Sequence, residues 1–158
     1  MPNLFSTDAL EENPYAALGE EESEAVGYRP GIAFDYETDG DFVRDGRHRV
    51  QESTGIESWQ SWVINCLSTE RYKHLAYSTD FGIEYDKIFA ASNQAEAESI
   101  LVRQITEALL ADPYGRTSYV EITDVNWLMP GAVIVVMTLH GVEDVTVDMT
   151  LFLTGGKG

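Results

Sequence analysis

Near the C-terminus the spacing of apolar side chains changes from that of helices to that of strands, and this change most restricts the fold. Residues 132–139 are almost continuously apolar, as expected for a central strand buried on both faces. Residues 145–153 place large apolar side chains at every second position, which predicts a half-buried strand. Residues 119–127 also alternate, with a phase slip near Thr123 and Asp124 that predicts a β-bulge. These three runs predict an antiparallel meander.

Helical spacing governs the middle of the chain. Thr54 and Glu57 stand three positions apart ahead of an apolar stripe, which predicts a capping box and a helix. The stripe consists of Ile56, Trp59, Trp62, Val63, Cys66 and Leu67. A short helix is predicted over residues 83–89, and Asn93 with Glu96 predicts the start of a longer one.

The beginning of the domain has the pattern of a small β-hairpin. Ile32, Phe34 and Tyr36 alternate with smaller or polar residues, and Asp45-Gly46 is a typical tight-turn pair. The predicted fold class is therefore α+β, with a hairpin, two to three helices and a C-terminal three-stranded antiparallel meander. We expect this domain to occupy residues 31–154.

Charge restricts the partners. The chain has 158 residues with a formal net charge of -17, from 27 acidic and 10 basic residues, which disfavours binding to phosphates or to an anionic membrane. We expect protein partners, no nucleic acid and no membrane. Residues 1–30 are acidic and poor in large apolar side chains, which predicts a flexible or extended arm. Residues 155–158 are predicted to be a flexible tail.

No cofactor is expected. Residues 35–41 place acids at alternate positions, as in the first half of a calcium loop, but Gly46 stands where that loop needs a bidentate glutamate. The histidines lack the spacing of zinc ligands. The single cysteine, Cys66, lies within the helical stripe and is predicted to be a buried thiol rather than a nucleophile.

The connector, residues 69–84, joins the first helix to the next helical region and is unusually rich in basic and aromatic side chains. A connector of this composition is predicted to hold one shape. Together with its flanks it resembles the XkdS-like family of contractile-tail baseplate proteins, relatives of the T-even phage wedge protein that starts the tail sheath. The resemblance covers residues 34–153. Within the connector, Glu70 and Arg71 are candidates for binding a partner.

The resemblance implies a structural role in a tail baseplate, in a phage, a defective prophage or a bacteriocin. The implied partners are the sheath protein and the wedge proteins, with tail tube or hub proteins as further candidates, in a six-fold assembly with several copies. Synthesis in the bacterial cytoplasm would precede incorporation into the particle.

The final strand is the predicted site of sheath initiation. An edge strand offers unpaired backbone groups to another chain, and the resemblance implies that strand exchange with the sheath occurs here. The candidate residues are Val145, Val147, Met149 and Leu151. The alternatives are that residues 1–30 cover this edge, that the edge is simply short, or that an acidic adaptor uses it for another strand donor.

The resemblance also implies a grip on the wedge through an acidic residue, a proline and an arginine after the long helix. Asp112 and Pro113 match this pattern, whereas Arg116 is displaced by Tyr114 and Gly115. A guanidinium close to Asp112 could pair with it in bidentate fashion. The alternative is an ordinary helix stop with a surface charge pair.

A cell-wall glycoside hydrolase is the alternative function, since relatives of this family have been described as lysozyme-like. Such an enzyme needs two facing carboxyl groups, one with a raised pKa. Glu70 and Glu84 are the acids with aromatic neighbours in the sequence. Arg71 beside Glu70 would pair with it and lower the pKa of that carboxyl, which is wrong for a general acid. Structural ion pairing is therefore the preferred role for both glutamates.

Overall fold

The computed structural model describes residues 28–36 and 41–154. Residues 1–27 of the predicted arm, residues 37–40 of the partial calcium loop and the tail 155–158 lie outside this part. In chain order the elements are β1 (Gly31–Ile32), β2 (Phe34–Asp35), β3 (Asp41–Phe42), β4 (Glu52–Ser53), α1 (Gly55–Ser68), α2 (Tyr85–Phe89), α3 (Gln94–Leu110), β5 (Thr117–Met129), β6 (Ala132–Gly141), a 3-10 turn (Val142–Asp144) and β7 (Thr146–Thr154). The predicted α+β class is confirmed.

The C-terminal meander is an antiparallel sheet with the strand order β5-β6-β7. The central strand β6 turns one face to the helices, and the side chains on that face are buried. They are Val133, Val135, Met137 and Leu139. The register of β5 shifts between Ile122 and Asp124, which confirms the predicted bulge. The alternating apolar residues therefore give the sheet one inner, helix-covered face.

Helices α1 and α3 cover this inner face, α1 over β7 and α3 over β5. The predicted capping box of α1 is confirmed, because the Thr54 amide donates to Glu57 Oε2 at 2.8 Å and the Glu57 amide donates to Thr54 Oγ1 at 3.2 Å. Along α1, Trp59, Val63 and Leu67 are fully buried. The helical stripe in the sequence therefore forms the centre of the core.

The predicted helix over residues 83–89 begins later than expected, at Tyr85. Ile83 instead forms a parallel bridge with Glu70. Its amide donates to the Thr69 carbonyl, and its own carbonyl accepts from the Arg71 amide, each at 2.9 Å. Since these groups are bonded across the connector, they cannot join a helical turn. The predicted Asn93 cap of α3 is confirmed, with Asn93 Oδ1 accepting from the Glu96 amide at 2.9 Å.

The N-terminal segment forms two short antiparallel strand pairs instead of the single predicted hairpin. Gly31–Ile32 pairs with Glu52–Ser53, whereas Phe34–Asp35 pairs with Asp41–Phe42. The predicted turn at Asp45 is present, because its Oδ1 accepts from the amides of residues 47 and 49 at 2.8 and 2.9 Å. One segment therefore contacts two later strands, and this compact unit packs against α1.

Tyr28, which the sequence placed in the acidic arm, packs on the folded domain. Its ring lies 5.4 Å from that of Trp59, centroid to centroid, and its hydroxyl donates to the Val142 carbonyl at 2.9 Å. A side chain at Gly141 would collide with the Tyr28 hydroxyl, so the glycine makes room for this contact. No helix in the described part of the chain is long and apolar enough to cross a membrane.

Candidate partner-binding surfaces

The outer margin of β7 is the first candidate surface. Within residues 28–36 and 41–154, β7 pairs with β6 on one side and with no strand on the other. It runs for 9 residues without any shift of register. A regular edge of this length offers alternating amide and carbonyl groups to an incoming strand.

The predicted residues of β7 alternate as expected. Met149 is 9% exposed, and Val147 and Leu151 are half-buried against the core. Val145 lies one residue before the strand begins, and it too packs against the core. These four side chains pack against the core. A partner could contact the backbone groups along the outer margin of β7 and the side chains on its outer face.

The outer face of the sheet carries two large aromatic side chains at opposite margins. Phe152 on β7 is 58% exposed and Tyr119 on β5 is 59% exposed. Between them, Thr138 Oγ1 donates to Asp148 Oδ1 at 2.7 Å. The two margins differ in their backbone, because β5 has three shifts of register and β7 has none. Bulges twist an edge away from pairing, so β7 is the better template.

The turn after α3 is the second candidate surface, and the structure brings its predicted residues together. Arg116 Nε donates to Asp112 Oδ2 at 2.8 Å, and Arg116 Nη2 donates to Oδ1 at 3.0 Å. This is the bidentate pair that the sequence allowed. Both side chains are buried, with 5% of Arg116 and none of Asp112 exposed, which rules out the alternative of a surface charge pair. Pro113, Tyr114 and Gly115 are the exposed residues of the turn.

An aromatic ladder links this turn to the connector. The Arg116 guanidinium lies 5.1 Å from the Tyr114 ring centroid and 5.5 Å from that of Trp62. Trp62 contacts Phe81 at 6.1 Å, and Phe81 stacks on Tyr77 at 4.4 Å. Sequence reasoning missed the roles of Trp62 and Tyr114, since their separation along the chain gives no signal of contact.

The connector is the third candidate surface, and a network of bonds fixes its shape. Arg71 Nε donates to the Gly82 carbonyl at 3.0 Å. Glu70 pairs with Lys73 at 2.6 Å, and its carboxylate raises the pKa of that lysine. The predicted pairing of Glu70 with Arg71 was wrong, because Arg71 is used to hold the far end of the loop.

The connector also contains a strained residue and an exposed tip. Tyr72 has a φ of 70°, in a region that costs a bulky L-residue free energy. Gly82 has a φ of 94°, and a Cβ there would lie 2.7 Å from the Thr69 carbonyl oxygen. Leu75 is fully exposed and Tyr77 is 51% exposed. The loop therefore exposes the apolar side chains of Leu75 and Tyr77 to solvent. Hydrogen bonds between its two ends fix the backbone conformation.

The two glutamates of the hydrolase alternative are engaged in ion pairs. Glu84 contacts Lys87 at 2.9 Å and accepts from Gln104 Nε2 at 3.3 Å, while Glu70 contacts Lys73. The expected structural ion pairing is confirmed, with lysines as the partners. Among the described residues no group of His, Cys, Asp and Glu is placed to hold a metal ion.

Two buried groups in the core have raised pKa values. Burial raises the pKa of the Cys66 thiol to about 11, and the side chain is fully buried, which confirms the predicted buried thiol. Burial also raises the pKa of Tyr85, whose hydroxyl donates to the Leu67 carbonyl. Both groups remain neutral near pH 7 and serve packing.

An α+β domain with a regular strand margin that no other described strand covers, and with candidate carboxylates held in ion pairs, has the features of a protein that acts through assembly. The sequence matches the family described as contractile injection system sheath initiator over residues 31–126, which is more than half of the chain. The chain belongs to this family and is a structural component of a contractile injection system. No individual curated protein matches it significantly.

Proposed function

We propose that this chain joins the wedge of the baseplate and starts the sheath by accepting a strand from a sheath subunit along β7. The observation that carries the proposal is the margin of β7, which is 9 residues long, regular in register and unpaired within the described residues. Strand addition gains main-chain hydrogen bonds along such a margin. Membership of the sheath initiator family supports the sheath as the donor.

The wedge would bind at the other candidate surfaces. The buried pair of Asp112 and Arg116 fixes the turn after α3, and this turn presents Pro113 to solvent. In this proposal the two charged residues shape the contact, and their exposed neighbours make it. Glu70 and Arg71 act similarly in the connector, where their bonds to Lys73 and to Gly82 hold the loop in one form.

The particle context follows from the same proposal. The chain would be made in the bacterial cytoplasm and placed at the tail baseplate in several copies with six-fold symmetry, close to tail tube or hub proteins. It would act without catalysis, without a cofactor, and without binding nucleic acid or a membrane. The net charge of -17 supports the last two points, because it repels phosphates and anionic lipids.

A pair of matched photo-crosslinking variants tests strand addition. A photoreactive phenylalanine analogue replaces Phe152 on β7 in one variant and Tyr119 on β5 in the other, because both are aromatic, lie on the outer face and are 58% and 59% exposed. Side chains on adjacent strands lie roughly 5 Å apart. Position 152 should therefore crosslink to the sheath protein in assembled particles, and position 119 should not. Equal crosslinking at both positions, or none at 152, would reject the proposal.

Deletion of the last strand would be a poor substitute for this experiment. Met149 and Leu153 on β7 are buried in the core, with exposures of 9% and 2%. Removing them would unfold the domain, and any loss of sheath binding would then have two explanations.

A further inference from the structure

A groove of about 550 Å³ lies between the N-terminal hairpin, α1 and β7. Phe34 and Val43 from the hairpin, and Ile64 from α1, form its half-buried apolar walls. Ser61 of α1 and Met149 of β7 also line it. Its volume lies within the range of roughly 300–1,000 Å³ typical of binding clefts.

The groove lies next to β7 on the side away from β6. Met149 lines the groove, and no residue of β5 or β6 does so. Since β6 occupies one side of β7, the groove opens toward the other side, where an added strand would lie. Met149 pairs with Met137, which is fully buried on the inner face. The groove therefore meets the sheet at its inner face.

We propose that the strand added to β7 carries a large apolar side chain opposite Met149, and that this side chain enters the groove. The inference rests on the proposed strand addition and extends it to the donor sequence. Residues opposite each other on neighbouring strands point to the same face, with Cβ atoms roughly 5 Å apart. The donor residue facing Met149 must then point to the inner face, where the groove lies.

The chemistry of the lining defines which side chain fits. The apolar walls favour an aromatic or branched aliphatic group, because burying such a group removes apolar surface from water. Glu52 and Glu57 are the charged residues of the lining, and no lysine or arginine is among them. An aspartate or glutamate at this donor position would be repelled. Main-chain hydrogen bonds between β7 and the donor strand would provide affinity, and the groove would provide specificity for the donor's side chain.

Filling the groove tests the inference. Ser61→Leu on α1 places a larger side chain in the groove, and Ser99→Leu on α3, an exposed helical serine, is the matched control. We expect Ser61→Leu to weaken binding to the sheath protein at least tenfold, with the control unchanged. Circular dichroism and thermal melting verify the fold of each variant. Gln60→Trp, which also faces the groove, is measured in the same way in case Ser61→Leu does not fold.

The outcomes separate this inference from the strand addition on which it rests. If both groove-filling variants bind the sheath as the wild type does while position 152 still crosslinks, the groove is not used and strand addition stands. If Ser61→Leu exposes residues 1–27 to protease without changing sheath binding, the chain's own N-terminal segment occupies the groove and the inference is overturned. Absence of the crosslink in the wild-type background removes both proposals.

Discussion

The guanidinium of Arg116 donates two buried hydrogen bonds, of 2.8 and 3.0 Å, to the two carboxylate oxygens of Asp112. Asp112 Oδ2 also accepts from the Arg116 amide at 3.1 Å. This pair lies where α3 ends and β5 begins, so it links the helical layer to the sheet. Removal of one partner would leave the other charge buried without compensation.

Arg116→Ala is therefore expected to destabilise the domain by about 3–5 kcal/mol. Arg116→Lys should lose a substantial part of this stability too, because an ammonium cannot reproduce the bidentate geometry. Urea unfolding followed by circular dichroism measures both variants. Arg103→Ala is the control, since Arg103 is 65% exposed and its contact with Glu107 is long, at 3.8 Å. An Arg116→Ala variant as stable as this control would show that the pair contributes nothing.

An Arg116 variant cannot test wedge binding, because the variant is expected to destabilise the domain and the loss of binding would then have two explanations. The exposed residues of the turn provide a cleaner test. Tyr114 is 47% exposed and lies over the Arg116 guanidinium. We expect Tyr114→Ser to reduce co-purification with the wedge proteins of the particle, since exposed aromatic residues often dominate protein interfaces. Tyr119→Ser, on the outer face of β5, is the matched control. Equal retention of the wedge by both variants would contradict the proposed wedge site.

Two residues of the connector with positive φ, Tyr72 and Gly82, are expected to respond to substitution in opposite directions. Gly82→Ala should destabilise the domain by about 1–3 kcal/mol, because a left-handed φ disfavours L-residues and the new Cβ would press on the Thr69 carbonyl. Tyr72→Asn should stabilise it by about 1 kcal/mol, because asparagine tolerates the φ of 70° found there. Thermal melting measures both changes. Two shifts of the same sign would show that backbone strain does not control this loop.

Local interactions explain what the sequence could predict. The capping box at Thr54 and the cap at Asn93 depend on residues three positions apart, so their spacing in the sequence is sufficient. The central strand β6 is recognisable from its nearly continuous apolar run, but the predicted burial on both faces was wrong, because the helices cover one face and Ile134 and Val136 on the other face are only half-buried. The bulge in β5 leaves a phase slip that can be read directly.

Tertiary contacts explain what the sequence could not predict. Arg71 stands next to Glu70, yet it bonds to Gly82 because the bridge between Glu70 and Ile83 brings that carbonyl near. The sequence left open whether Arg116 lies at the surface, where charged residues usually are. Its burial depends on contact with Trp62, 54 positions earlier in the numbering. The groove beside β7 is likewise formed by three separate segments, which no single stretch of sequence defines.

The buried thiol of Cys66 predicts a specific dependence on pH. Its pKa is about 11 in the folded protein against 9.0 for an ordinary cysteine thiol. Below pH 9 the thiol is therefore mostly neutral in both states and has little effect on the pH dependence. Between pH 9 and 11 the unfolded chain releases this proton while the folded chain keeps it, and stability falls. The slope is about 1.4 kcal/mol per pH unit for one group, or on the order of 2 kcal/mol over the window.

Cys66→Ala provides the comparison that isolates this effect. The variant should be less stable near pH 7, because a buried side chain becomes smaller, but its stability should fall less steeply from pH 9 to 11. Tyr85 contributes alkaline destabilisation of the same sign in both proteins, since burial raises its pKa as well. Urea unfolding at intervals across this range gives the two slopes. Parallel slopes would mean that Cys66 ionises alike in the folded and unfolded states, and the native thiol should then react readily with a thiol reagent at pH 8.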